Sequence, residues 1–299
     1  MAYVSTPLGR WFYEEHGASR RESDAAIVLL HGLLFDGSVW GAQVGPLSAI
    51  GRVLVFDGPG HGRSRETPPH FSLEDHADAL AEALSSLAAP RAIIVGHSWG
   101  GMAALRFALK HRDRLRALAL LGASADREDR STERKYRLLE TVGRRLGFPG
   151  WLVNRGIAPL LFGKATLRDR PEVVRGFARR LRGFSRNGLA RAGQAVLIER
   201  SRVLDELAAI TSPTLVLCGA EDRAMKLAEG IAIADRIAAS ALVTIEGAGH
   251  TPTLEQPDAV NAALLPFIRQ HLEGENASSR VVPEVEGPGF ARACASSVR

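Results

Sequence analysis

Residues 93–101 read IIVGHSWGG, three apolar residues and then a serine at 98 hemmed in by glycines at 96, 100 and 101. A short β-branched run reads as a buried strand, and the stretch that follows, GMAALRFALKH (101–111), carries helical spacing. The segment therefore predicts a strand, a tight turn and a helix, with Ser98 on the turn. Gly96 to Gly100 fit G-x-S-x-G, in which small residues two places either side of the serine avoid a clash with the adjoining strand and helix. Ser98 Oγ would then stand free above the sheet. The next N–H, that of Trp99, would lie at a helix N-terminus, where negative charge is favoured. A plain strand-to-helix loop is the competing reading of the same glycines.

Outward from this stretch, five more apolar runs end in glycine-rich exits: AAIVLLHG (25–32), RVLVFDGPG (52–60), LRALALLGAS (115–124), PTLVLCGAED (213–222) and ALVTIEGAGH (241–250). Hydrophobicity without alternation is the mark of strands covered on both faces, so these runs predict a parallel sheet. The first segment, YVSTPLGRWFYEEHG (3–17), alternates loosely and fits an antiparallel edge hairpin. Helix-length stretches separate the strands. SLEDHADALAEALSSL (72–87) opens on Ser72 with Asp75 three residues later, close to a capping box. Such alternation predicts a mostly parallel, doubly wound α/β sheet with right-handed crossovers.

The alternation stops at about 125. Until 206 there are only helical stretches such as STERKYRLLETVGRRL and RPEVVRGFARRLRGF, divided by Gly and Pro. The expected organisation is a core domain made of 1–124 and 207–273, with a helical cap, 125–206, inserted between two strands. The last helix, AVNAALLPFIRQHLE (259–273), should kink at Pro266, and the polar, Gly/Pro-rich segment 274–299 reads as a flexible tail.

With 299 residues, 45% hydrophobic and 24% charged, the chain has ordinary globular composition, which excludes a largely disordered protein. Its two cysteines, Cys218 and Cys294, offer neither a disulfide framework nor a metal-ligand spacing. The N-terminus lacks the basic and apolar regions of a signal peptide, and no apolar run approaches the ~18–20 residues of a membrane span. A cytoplasmic protein without membrane, metal or cofactor is the expectation. The net charge of +5 is unevenly spread: 126–205 holds 17 Arg and 2 Lys against 9 acidic residues. A basic face confined to one segment points to a local acidic partner or anionic substrate rather than to nucleic acid, and a solvated arginine-rich surface explains it equally well.

A serine hydroxyl needs a base to become a nucleophile at neutral pH. Of nine histidines, His250 is the best placed, on the glycine-flanked loop after the last predicted strand. His31 and His61 also occupy strand-end glycine loops, upstream of Ser98. His97 adjoins Ser98, and the turn aims its ring elsewhere; His111 and His271 read as helix surface. The base must be held in one tautomer by a carboxylate. Asp222, at the end of the penultimate strand, gives the order Ser, Asp, His; Asp126 is the runner-up, and Glu221 would point away. Donors for a developing oxyanion would be the backbone N–H groups of Trp99 and of Leu33, which follows Gly32 in the loop after the first core strand.

Taken together, HGLLFDGSVW (31–40), FDGPGHGRS (56–64), GHSWGG (96–101), GAED (219–222) and GAGH (247–250) resemble the α/β-hydrolase superfamily, in the branch of capped serine esterases, lactonases and C–C bond hydrolases. The resemblance spans 25–124 and 207–270. It implies Ser98 as nucleophile, His250 as base, Asp222 as its acid, and the Leu33 and Trp99 N–H groups as the oxyanion hole, with 57–64 a structural loop beside the site. Haloalkane dehalogenases and epoxide hydrolases carry aspartate where this chain has Ser98, and the predicted cap holds one tyrosine, Tyr136. Prolyl aminopeptidases usually begin the elbow with two glycines, unlike Gly96-His97. The implied function is cleavage of a small-molecule ester or lactone, with an anionic substrate or an acidic carrier protein at the basic cap as options. The alternatives are C–C hydrolysis or cofactor-free perhydrolysis on the same residues, or, in another class, a non-catalytic ligand receptor.

Overall fold

In the computed structural model, residues 2–18 and 25–272 are described; the segment 274–299, read above as a tail, lies outside them. Eight strands form one sheet: β1 (Ala2–Thr6), β2 (Gly9–His16), β3 (Ala26–Leu30), β4 (Val53–Phe56), β5 (Ala92–His97), β6 (Leu115–Leu121), β7 (Thr214–Gly219) and β8 (Ser240–Ile245). Their spatial order is β1-β2-β4-β3-β5-β6-β7-β8. β1 and β2 form the antiparallel hairpin, β2 runs antiparallel to β4, and every other neighbouring pair is parallel.

The apolar runs of β3 to β7 become strands because both faces of the sheet are covered there; β8, at the edge, buries only Ile245. Val28, Ile94, Leu118 and Val216 point to one side, against Leu80, Phe107 and Ile233 of the helices Leu73–Ser86, Trp99–Lys110 and Leu227–Arg236. Ile27, Ile93, Leu121 and Leu217 point to the other, against Leu47 and against Leu264 and Ile268 of the helix Pro257–Leu272. That last helix runs on through Pro266, whose ring sits on its exposed side. The capping box is complete: Ser72 Oγ accepts from the Asp75 N–H at 3.0 Å, and Asp75 Oδ2 from the Ser72 N–H at 2.8 Å. Such a cap stabilises a helix by about 1 kcal/mol.

Between β6 and β7, helix is the only regular structure from 130 to 198, chiefly Arg130–Leu146, Pro171–Leu181 and Arg186–Gly193. Two π-helical turns, Val153–Ile157 and Gln194–Ile198, interrupt it. Several arginines of this segment are engaged in holding the fold. Arg200 is buried and pairs with Glu128 at 2.9 Å, Arg202 pairs with Asp126 and Asp205, and Arg191 donates to the Thr67 carbonyl at 2.8 Å. Among the described residues no helix is long and apolar enough to cross a membrane.

The chain winds from β3 to β4 in one direction and from β5 through β8 in the other. The crevice at this reversal, between the carboxyl ends of β3 and β5, is where open α/β sheets bind ligands.

Candidate active site

β5 ends at His97 and the helix Trp99–Lys110 begins at once, which leaves Ser98 alone on the turn with φ +50° and ψ −113°. Positive φ in a residue with a side chain costs on the order of 1–3 kcal/mol and persists only where its surroundings enforce it. They do so here by close approach. A Cβ at Gly96 would lie 2.6 Å from Gly101 Cα, and one at Gly100 would lie 2.6 Å from the Leu30 carbonyl oxygen. The Ser98 N–H donates to the Leu121 carbonyl, and its own carbonyl accepts from Met102.

Ser98 and His250 line the same cavity of about 220 Å³. His250, on the loop after β8, donates from Nδ1 to Asp222 Oδ2 at 2.8 Å, which leaves Nε2 as the ring's other nitrogen. Asp222, on the loop after β7, is fixed through its second oxygen, which accepts from the Ala224 and Met225 N–H groups, both at 2.8 Å. The other acidic candidates go elsewhere: Glu221 accepts from the Lys164 N–H, and Asp126 pairs with Arg202.

Leu33 and Trp99 also line the cavity. Their backbone N–H groups donate to no other described residue, whereas those of the neighbours are used: Leu34 N–H to His61, Phe35 N–H to the Gly32 carbonyl, and Gly100 N–H to the His31 carbonyl. The loop 31–35 crosses directly over the turn, since a Cβ on Gly32 would come within 2.7 Å of the His97 ring and 3.2 Å of Ser98 Cβ.

Three further groups surround these residues without an assigned role. His97 is turned from the cavity yet touches the candidate base: its Nε2 donates to the His250 carbonyl at 2.7 Å, and the rings lie 4.9 Å apart. Burial, and then the charge of His250, lowers its pKa to about 3, so it is a neutral packing partner. Glu255 is buried beside His250 and accepts from the Gly249 and Thr251 N–H groups that flank it, and from the Gly163 N–H of the helical segment. Burial raises its pKa, with these donors opposing. The third group is an imidazole cluster around Trp99: His61 and His76 each lie 4.7 Å from its ring, and His31 5.7 Å. For these residues the only sequence signal is position. His31 and His61 each precede a glycine in a strand-end loop, and Glu255 is an acid inside an apolar, proline-flanked stretch.

Apart from Ser98, His250 and the loop backbone, the cavity wall is largely apolar. Leu34, Met102, Leu161, Leu189 and Met225 contribute, and both π-helical turns reach it through Ile157 and Val196. Tyr136, Arg144 and Arg186 supply its polar side chains from the helical segment. Among the described residues no three His, Cys, Asp or Glu side chains are grouped to hold a metal ion.

Residues 27–263 match the family model described as the Alpha/beta hydrolase family. The chain belongs to this family. As an alpha/beta hydrolase it is an enzyme, and solved structures share its fold over most of its length. An esterase from Thermogutta terrifontis, solved with malate bound, is 31% identical with a TM-score of 0.83, covering 91% of this chain and 99% of its own. The enol-lactonase from Burkholderia xenovorans LB400 is 26% identical with a TM-score of 0.81, covering 89% and 99%. Among curated relatives, the pimeloyl-[acyl-carrier protein] methyl ester esterase of Xanthomonas campestris pv. campestris is 30% identical, across 81% of this chain and 94% of its own.

Proposed function

We propose that this alpha/beta hydrolase is a serine hydrolase that cleaves a carboxylic ester or lactone with a mostly apolar body. Ser98 Oγ attacks the carbonyl carbon as His250 Nε2 takes its proton, and Asp222 stabilises the resulting imidazolium. The oxyanion is met by the N–H groups of Leu33 and Trp99. Collapse of the intermediate expels the alkoxide, His250 returns the proton to it, and an acyl-enzyme remains on Ser98. Water, deprotonated by His250, then attacks the acyl carbon and releases the acid. In this reading 1–124 and 207–273 form the catalytic domain, and 125–206 is a cap that shapes the pocket.

One observation carries the proposal: Ser98 and His250 open onto one cavity, and the Nδ1 of that histidine is held by Asp222. The names of the neighbours, an esterase, an enol-lactonase and a methyl ester esterase, support the ester chemistry. The test is Ser98→Ala assayed on p-nitrophenyl esters. Turnover should vanish while the circular dichroism spectrum is kept, and retained turnover would remove the proposal.

A second reading concerns the substrate's charge. Arg144 and Arg186 are the cations on the cavity wall, and they favour an ester that also bears a carboxylate, free or on an acidic carrier protein. The carrier named for the Xanthomonas relative is consistent with it.

A further inference from the structure

Two imidazoles, one from each, tie the loop after β3 to the loop after β4. His31 Nδ1 donates to the Gly32 carbonyl at 2.8 Å, and its Nε2 accepts from the Gly58 N–H, also at 2.8 Å. His61 Nδ1 donates to the Pro59 carbonyl at 3.0 Å, and its Nε2 accepts from the Leu34 N–H at 3.3 Å. In both rings one nitrogen faces a carbonyl and the other a backbone N–H. Only the neutral Nδ1–H tautomer satisfies both, because a protonated ring has no acceptor left for the N–H. The rings lie 5.0 Å apart and join 31–35 to 57–61.

This loop needs holding. Leu34 has φ +70°, a region a leucine rarely adopts, and its N–H is the one that His61 accepts. With Leu34 N–H and Phe35 N–H both engaged, Leu33 is left with an N–H that donates to nothing described. We infer that His31 and His61 are positioning residues, which as neutral rings hold the loop 31–35 so that the Leu33 N–H stays free for the oxyanion. The inference rests on the serine-hydrolase reading above. The charged and titratable groups around the pair are Asp36 and Asp57 on the His31 side, His76 against His61, and His97 beneath Gly32. Burial lowers both histidines, with Asp57 opposing this at His31, which agrees with the neutral state that the hydrogen bonds require.

The experiment compares wild type with His61→Phe, which keeps a ring against Trp99, and His61→Gln, whose Oε1 can again accept the Leu34 N–H. Each is assayed on a p-nitrophenyl ester and with a trifluoromethyl ketone, whose adduct on Ser98 imitates the tetrahedral oxyanion. His61→Phe should lose on the order of 10- to 100-fold in kcat with KM changed less than about twofold, and the ketone Ki should rise by a similar factor. His61→Gln should recover most of both. Wild-type kcat and ketone Ki in His61→Phe would overturn the inference while leaving the Ser98 reading intact. Turnover that survives in Ser98→Ala would instead overturn the reading beneath it. Should His61→Phe not fold, imidazole ¹⁵N NMR of wild type decides: both rings should be Nδ1–H tautomers at about pH 7–8, and a protonated or Nε2–H ring in active enzyme would contradict the role.

Discussion

His250 Nδ1 donates to Asp222 Oδ2 across 2.8 Å, with the histidine side chain 5% exposed and the aspartate 1%. A buried pair of this kind fixes the ring's tautomer and leaves Nε2 able to accept a proton. Asp222→Asn preserves shape and the oxygen that Ala224 and Met225 bind, but its amide can present a donor to Nδ1. Activity on p-nitrophenyl esters should fall by about 10³- to 10⁴-fold with little change in Tm. A loss below tenfold would mean that the carboxylate does not orient the base.

The glycines around Ser98 should be nearly irreplaceable. At Gly100 an added methyl would meet the Leu30 and His31 carbonyl oxygens at 2.6 and 2.7 Å, both of them backbone atoms that cannot rotate aside. Gly100→Ala should therefore destabilise the fold by about 1–3 kcal/mol, read as a lowered Tm or denaturation midpoint. An unchanged midpoint would show that the turn can relax.

Stability should depend on pH through the buried histidines. Burial lowers the pKa of His31, His61, His76 and His97, the last two to about 3. In the unfolded chain each titrates near ~6.5, so below that pH the unfolded state binds more protons than the folded one. The stability these neutral rings contribute is complete above this range and is lost as pH falls through it. Each ring adds up to about 1.4 kcal/mol per pH unit. Thermal melts between about pH 5 and 8 should show Tm dropping steadily on the acid side; a flat profile would contradict neutral burial of the cluster.

The cavity arginines make a separable prediction. Arg186→Ala should lower kcat/KM for an ester bearing a distal carboxylate by several-fold and leave a neutral ester of equal length within about twofold, a contrast that added salt should shrink. Equal effects on both esters would remove the anionic reading and keep the apolar one.

Much of the fold is legible in the sequence because burial on both faces leaves a simple trace. Five continuous apolar runs correspond to β3 through β7, a sixth to the half-exposed edge strand β8, and the loosely alternating start to the β1–β2 hairpin. Ser98, Asp222 and His250 stand out because each lies on a glycine-bearing loop within a few residues of the end of a strand. The residues that hold them do not, because their partners are remote. Glu255 finds Gly163 across 92 residues, and His61 finds Leu34 across 27, contacts with no periodicity to read. The arginine excess of 126–205 could not be apportioned for the same reason: without the fold, Arg200 tied to Glu128 cannot be told from Arg186 on the cavity wall.

The most direct test of the central claim is labelling with a fluorophosphonate, followed by peptide mapping. One equivalent should be incorporated on Ser98 as ester turnover disappears, and Ser98→Ala should take up none. A label on another residue with the same loss of turnover, or full turnover by the enzyme labelled at Ser98, would contradict the account.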